Sequence, residues 1–84
     1  MLIQWDEPKR LANLDKHGLD FVDLTLEFFA HAVLLPAKDM RIAAIGRLAD
    51  GAVTVIFAHL GSEAISVISM RPASQKERRL LNDH

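Results

Sequence analysis

The chain has 84 residues, half of them hydrophobic and a quarter charged, with a formal net charge of −1. At this length residues 1–84 form one domain with a thin core. No cysteine is present, which excludes disulfides and thiolate metal sites.

The histidines His17, His31, His59 and His84 lack metal-ligand spacing, so neither a metal nor a cofactor is expected. The N-terminus lacks a signal-peptide pattern, and no apolar run approaches the ~20 residues of a membrane helix. The expectation is a cytoplasmic protein without a membrane contact. Charge is unevenly spread. Residues 1–27 carry three Lys/Arg against six Asp/Glu, and residues 71–84 carry four against two. A polyanion would therefore meet a local patch rather than a global field.

Met1 to Trp5 read as a short strand. Asp6 is a good N-cap and Pro8 suits a first helical turn. The helix that follows runs to about His17 and stops at Gly18, a residue suited to the left-handed position past a helix end. On a helical wheel Leu11, Ala12 and Leu14 share one side, the expected buried face, with Lys9, Asn13, Lys16 and His17 opposite as a basic stripe. Asp20 can cap a second helix through about Phe29, apolar nearly all round and expected to be buried. His31 to Leu35 are a further candidate strand, ended by Pro36, with Pro36 to Asp39 as a loop.

From Met40 the period changes. Met40 to Leu48 are a strand candidate, and Gly46 within it suggests a bulge. Ala49-Asp50-Gly51 is a hairpin signal, because Asp-Gly accepts positive φ. Ala52 to Ala58 alternate, Leu60 to Glu63 form a second turn, and Ala64 to Met70 are another strand. In that strand Ile65 and Val67 fall on one face, Ile68 and Met70 on the other. Pro72 marks a corner. Ser74, with Glu77 three residues on, makes a capping box for a C-terminal helix. The order is β-α-α-β-β-β-α with room for one extra short strand. This is an α+β fold, a small antiparallel sheet with its helices packed on one face.

Three blocks carry a resemblance to the BrnT family of toxins from type II toxin–antitoxin pairs. They are Trp5-Asp6-x-x-Lys9-x-x-x-Asn13-x-x-Lys16-His17-Gly18-x-x-Phe21, then Arg41-x-x-x-Ile45-Gly46, then Ile68-Ser69-x-Arg71-x-Ala73-Ser74-x-x-Glu77-Arg78. The resemblance implies a RelE-like fold and a ribonuclease that arrests translation. It also implies a cognate antitoxin, a small ribbon-helix-helix DNA-binding protein, that neutralises the toxin and with it represses the operon. The sequence departs from the family pattern at Ala58-His59 and Ser66, where arginines are frequent, at Leu81, where a tyrosine is common, and in a short loop before Arg41.

Metal-free RNA cleavage needs a base for the 2′-OH proton, an acid for the leaving oxygen and cations on the phosphate. His17 is the candidate proton carrier, with His59 behind it. Arg41, Arg71 and Arg78 are the candidate phosphate clamps, since a guanidinium binds phosphate through parallel hydrogen bonds. Lys9, Lys16, Lys76 and Arg79 would attract the RNA substrate without sequence preference. Each has a structural alternative: a helix-end histidine on a loop carbonyl, an Arg71 salt bridge to Glu77 or Asp6, a solvated helix face. Two functions stay open, a ribonuclease toxin and a toxin-like binding module acting through its antitoxin in operon repression. The edge strands at residues 1–5 or 31–35 could pair with a partner chain, in a homo- or hetero-oligomer.

Overall fold

A computed structural model describes every residue except Asp50 and His84. The elements are β1 (Leu2–Trp5), α1 (Glu7–His17), a short 3₁₀ turn (Phe21–Asp23), α2 (Leu26–His31), β2 (Val33–Pro36), a 3₁₀ turn (Lys38–Met40), β3 (Ile42–Leu48), β4 (Gly51–Leu60), β5 (Ala64–Pro72) and α3 (Gln75–Asn82). They form one five-stranded sheet in the order β1-β5-β4-β3-β2. The expected antiparallel sheet is in fact mixed. β2, β3, β4 and β5 form antiparallel pairs, but β1 lies parallel to β5. A parallel neighbour requires a crossover, and the meander from β2 through β5 supplies it.

Local chemistry explains most of the boundaries. Gly18 takes φ 68° and donates its N–H to Leu14 O, closing α1 in the left-handed conformation. Asp20 caps, as expected, but only the 3₁₀ turn, through Val22 N. Thr25 then accepts from Phe28 N and starts a separate α2, so the single second helix is two short pieces. Leu48 and Gly51 are register partners, so the hairpin closes between them; Asp50 of the expected turn lies outside the described residues.

The sheet buries both faces, which corrects the expectation of helices on one side. On one face Ala44, Val53, Val55, Phe57, Ile65, Val67 and Met70 pack beneath Phe21, Leu24 and Phe28. On the other, Ile45 lies beneath Ala73 and Leu81, bringing α3 over the sheet. Gly46 is no bulge: it pairs in register with Val53. A Cβ there would come within 2.7 Å of the Phe28 ring, so the missing side chain is what lets the ring lie on the strand. The real irregularity lies in the β4–β5 pair. Ile56 faces Ser69 but Phe57 faces Val67, leaving Ile68 as an extra residue. Side chains alternate along a strand, so this bulge reverses the expected parity: Met70 joins Ile65 and Val67 in the core, and Arg71 turns to the α3 side.

α1 presents the opposite face to the one its hydrophobicity suggests. Leu11 is 52 % exposed and Leu14 37 %, whereas Asn13 is 8 % exposed. The cause is the end of β1. Trp5 pairs with Val67, and β5 continues without a strand on that side. Met70 N–H would be left there as a buried orphan donor. Asn13 Oδ1 accepts it at 2.9 Å, while Asn13 Nδ2 donates to Leu19 O at 3.1 Å. One polar side chain thus outranks two leucines in orienting the helix, because an unmade buried hydrogen bond costs more than partial leucine exposure.

Replacing Asn13 with Ala should therefore lower the unfolding free energy by about 1–3 kcal/mol in urea titration. Leu11→Ala should change it by less than about 0.5 kcal/mol.

Candidate active site

Arg71 leaves β5 one residue before its end, at 40 % side-chain exposure, and forks onto Glu77 of α3. Nη1 donates to Oε1 at 2.7 Å and Nη2 to Oε2 at 3.0 Å. Glu77 also accepts from Ser74 N at 2.8 Å and from Thr54 Oγ1 at 3.0 Å, and Ser74 Oγ accepts from Glu77 N. The capping box is present as the sequence suggests, and the Arg71–Glu77 ion pair is the structural partner anticipated for Arg71. The Arg71 guanidinium, above all, holds the Glu77 carboxyl down at about 2, with burial working against it and Ser74 N and Thr54 adding to the effect. Glu77 is therefore a fixed carboxylate near neutral pH and cannot carry a proton. The same bond raises Arg71, which is a cation at every working pH.

The other candidates separate into two groups. A cleft of about 490 Å³ opens at the end of the sheet where β3 meets β4 and β5 stops. Gly18, Leu19, Asp23, Leu48, Pro72 and Arg78 are among the residues that line it. His17 and Arg71 immediately precede two of these, Gly18 and Pro72. His17 is half-buried in the last turn of α1. Of the candidates Arg78 alone lines the cleft; His17 and Arg71 are chain neighbours of two of its lining residues.

Arg41 is not with them. It precedes Ile42 at the opposite end of β3, roughly 20 Å from Leu48 at the rise of an extended strand, while Arg71 lies level with Ile45 through their shared partner Thr54. His59 is at that far end too: Ile42 pairs with Phe57, and the exposed His59 packs edge-on to the Phe57 ring at 5.9 Å. Lys76 and Arg79 are exposed on α3, and Lys9 and Lys16 are exposed on α1.

Asp23 lines the cleft with Arg78, a placement that no spacing in the sequence signals. A second ionic knot holds the α1–cleft connection: Arg10 bonds Glu7 within α1 and reaches Asp20 Oδ1 and Oδ2 at 3.1 Å. Val22 N, first, and then Arg10 hold the Asp20 carboxyl below its usual range.

A mixed five-stranded α+β sheet with a terminal cleft lined by Arg78 and Asp23 is the class of protein these observations define. The family model described as ribonuclease toxin, BrnT, of type II toxin-antitoxin system matches residues 5–77. The chain belongs to the BrnT family. Its fold is similar to the 1.1 Å crystal structure of the Brucella abortus ribonuclease toxin, BrnT, at 56 % identity and a TM-score of 0.83, covering 89 % of this chain and 99 % of that one. No curated protein matches the chain. Among the described residues no helix is long and apolar enough to cross a membrane.

Glu77 supplies a pH signature. Its folded-state value lies below its unfolded one, so its stabilisation is complete above about 4.5 and fades as pH falls towards about 2. Because Arg71 is 40 % exposed, solvent screening limits the loss to about 1 kcal/mol. Glu77→Gln should remove that slope from a plot of unfolding free energy against pH, while lowering stability at pH 7.

Proposed function

We propose that the chain cuts RNA at the terminal cleft without a metal ion, arrests translation by doing so, and is neutralised by a cognate antitoxin of the ribbon-helix-helix kind. Family membership supplies the ribonuclease class. The observation that supports particular residues is the cleft itself, which Arg78 and Asp23 line together with Gly18 and Pro72, the chain neighbours of His17 and Arg71.

In this reading Arg78 holds the scissile phosphate. Arg71 adds charge through its remaining N–H groups while Glu77 keeps its guanidinium in place. Asp23 takes the proton from the 2′-OH, whose oxygen attacks phosphorus. The bond from phosphorus to O5′ breaks, and His17 delivers a proton to that oxygen. The products are a 2′,3′-cyclic phosphate and a 5′-hydroxyl. Lys9, Lys16, Lys76 and Arg79 draw the strand in. Arg41 lies too far away to touch the same phosphate and serves, at most, a distant nucleotide.

A second reading, a toxin-like module that binds its antitoxin and cuts nothing, is favoured by two observations. The Arg71 fork is already filled by Glu77, and the half-buried Ser66 supplies no cation between Gln4 and Ala58.

Purified protein should degrade single-stranded RNA equally in the presence and absence of EDTA. Arg78→Ala should slow cleavage by about 100-fold or more, as for loss of a charge-stabilising donor. RNA left intact by folded protein would establish the second reading. In cells, expression alone should stop growth, and co-expression with the neighbouring antitoxin should restore it.

A further inference from the structure

β2 pairs with β3 only from Ile42 to Ile45, so Gly46 to Leu48 have no strand on that side. A second hollow of about 300 Å³ lies against this bare edge. Phe28, Leu48 and Leu81 give it an apolar floor, and Glu27, His31 and Arg47 rim it. Leu48 also lines the terminal cleft, so the two hollows adjoin. None of the rim groups has a part in the chemistry above. Arg47 is steadied by Asn82, whose Oδ1 accepts from Nη2 at 2.5 Å, while Nε and Nη1 have no partner among the described residues.

We propose that this hollow is a nucleobase subsite of the same ribonuclease and that it selects guanine; the proposal rests on the RNA-cleaving reading above. The volume admits one base, and an apolar floor with a few polar groups at the rim is the usual build of such a site. Unpaired RNA bases are recognised by stacking on ring side chains and by hydrogen bonds to their exposed edges. Here His31 can stack, and the charged pair at the rim decides the identity.

A carboxylate only accepts hydrogen bonds and a guanidinium only donates them. Guanine fits both. It offers two adjacent donors, N1–H and the N2 amino group, to the two oxygens of Glu27. It offers two acceptors, O6 and N7, to the Arg47 fork. Adenine and cytosine each place an amino donor beside a ring acceptor and so would set a lone pair against Glu27. Uracil has one ring donor. A base seated here would leave its sugar and phosphate at Leu48, where the cleft begins.

The test has two arms. First, amide resonances of the folded protein are followed while guanosine, adenosine, cytidine and uridine monophosphates are added. Guanosine monophosphate should move the amides of His31, Arg47 and Leu48 and bind about tenfold tighter than the others, within the range a good bidentate pair gives. Glu27→Gln and Arg47→Lys should each erase that margin. An equal response to all four nucleotides, or a margin that survives both substitutions, overturns the proposal.

Second, RNA of random sequence is digested and the nucleotides flanking each cut are counted. Guanine should be enriched at one side of the cut, and Glu27→Gln should flatten the enrichment. Cutting without a guanine bias overturns the subsite and leaves the ribonuclease standing. Intact RNA defeats the ribonuclease reading, and the nucleotide titration then decides the pocket by itself.

Discussion

The structure depends on one extra residue in β5. Ile68 has no partner on β4, and the strand changes parity there. Without it Arg71 would share a face with Ile65 and Val67, in the core under Phe21 and Phe28. A guanidinium cannot be buried there without a partner. With the bulge, Met70 fills that place, fully buried, and Arg71 emerges on the face that α3 covers. There it finds Glu77, already fixed by the Ser74 cap and by Thr54, its own register neighbour on β4. Two short elements are locked together through one carboxylate. Leu81 and Ala73 then complete the contact with Ile45, and Arg78 reaches the cleft because α3 is held at this angle.

Tight backbone approach does on the other face what the ion pair does here. Phe28 lies on Gly46 because nothing larger than hydrogen occupies that position. The ring in turn meets Phe29 edge-on at 5.2 Å, and Phe29 meets Phe57 at the same distance. α2 is only six residues long and would not persist without this packing. Its position brings Glu27 and His31 beside the bare edge of β3. The candidate groups on both sides of Leu48 are thus placed by two unrelated packing devices, a bulge and a glycine.

Features set by neighbours in sequence could be read in advance. The Ser74–Glu77 box, the Gly18 stop and the partnership of Arg71 with Glu77 all follow from residues fewer than about ten apart, where turn and cap chemistry governs. The face of α1 could not be read that way. Its orientation is decided by Met70 N–H, 57 positions from Asn13, and by where β1 happens to end. The bulge was hidden for a related reason. Ile68-Ser69-Met70 alternates no worse than a regular strand, and only pairing with Ile56 and Phe57 exposes the extra residue. Arg41 was a candidate clamp beside Arg71, yet it precedes the end of β3 farthest from Leu48 and the cleft. Asp23 and Arg78, 55 positions apart, line one cleft that no local pattern announces.

The central claim is that RNA sits in the terminal cleft between Gly18, Asp23 and Arg78. It is tested most directly by binding a short single-stranded RNA that cannot be cut, with each 2′-hydroxyl methylated, and mapping the perturbed backbone amides. The account predicts changes concentrated at Gly18, Leu19, Ala52, Val53 and Arg78, fading towards Arg41 and His59. Changes centred on the Arg41–His59 end of the sheet, or on the exposed Leu11 and Leu14 face of α1, would contradict it.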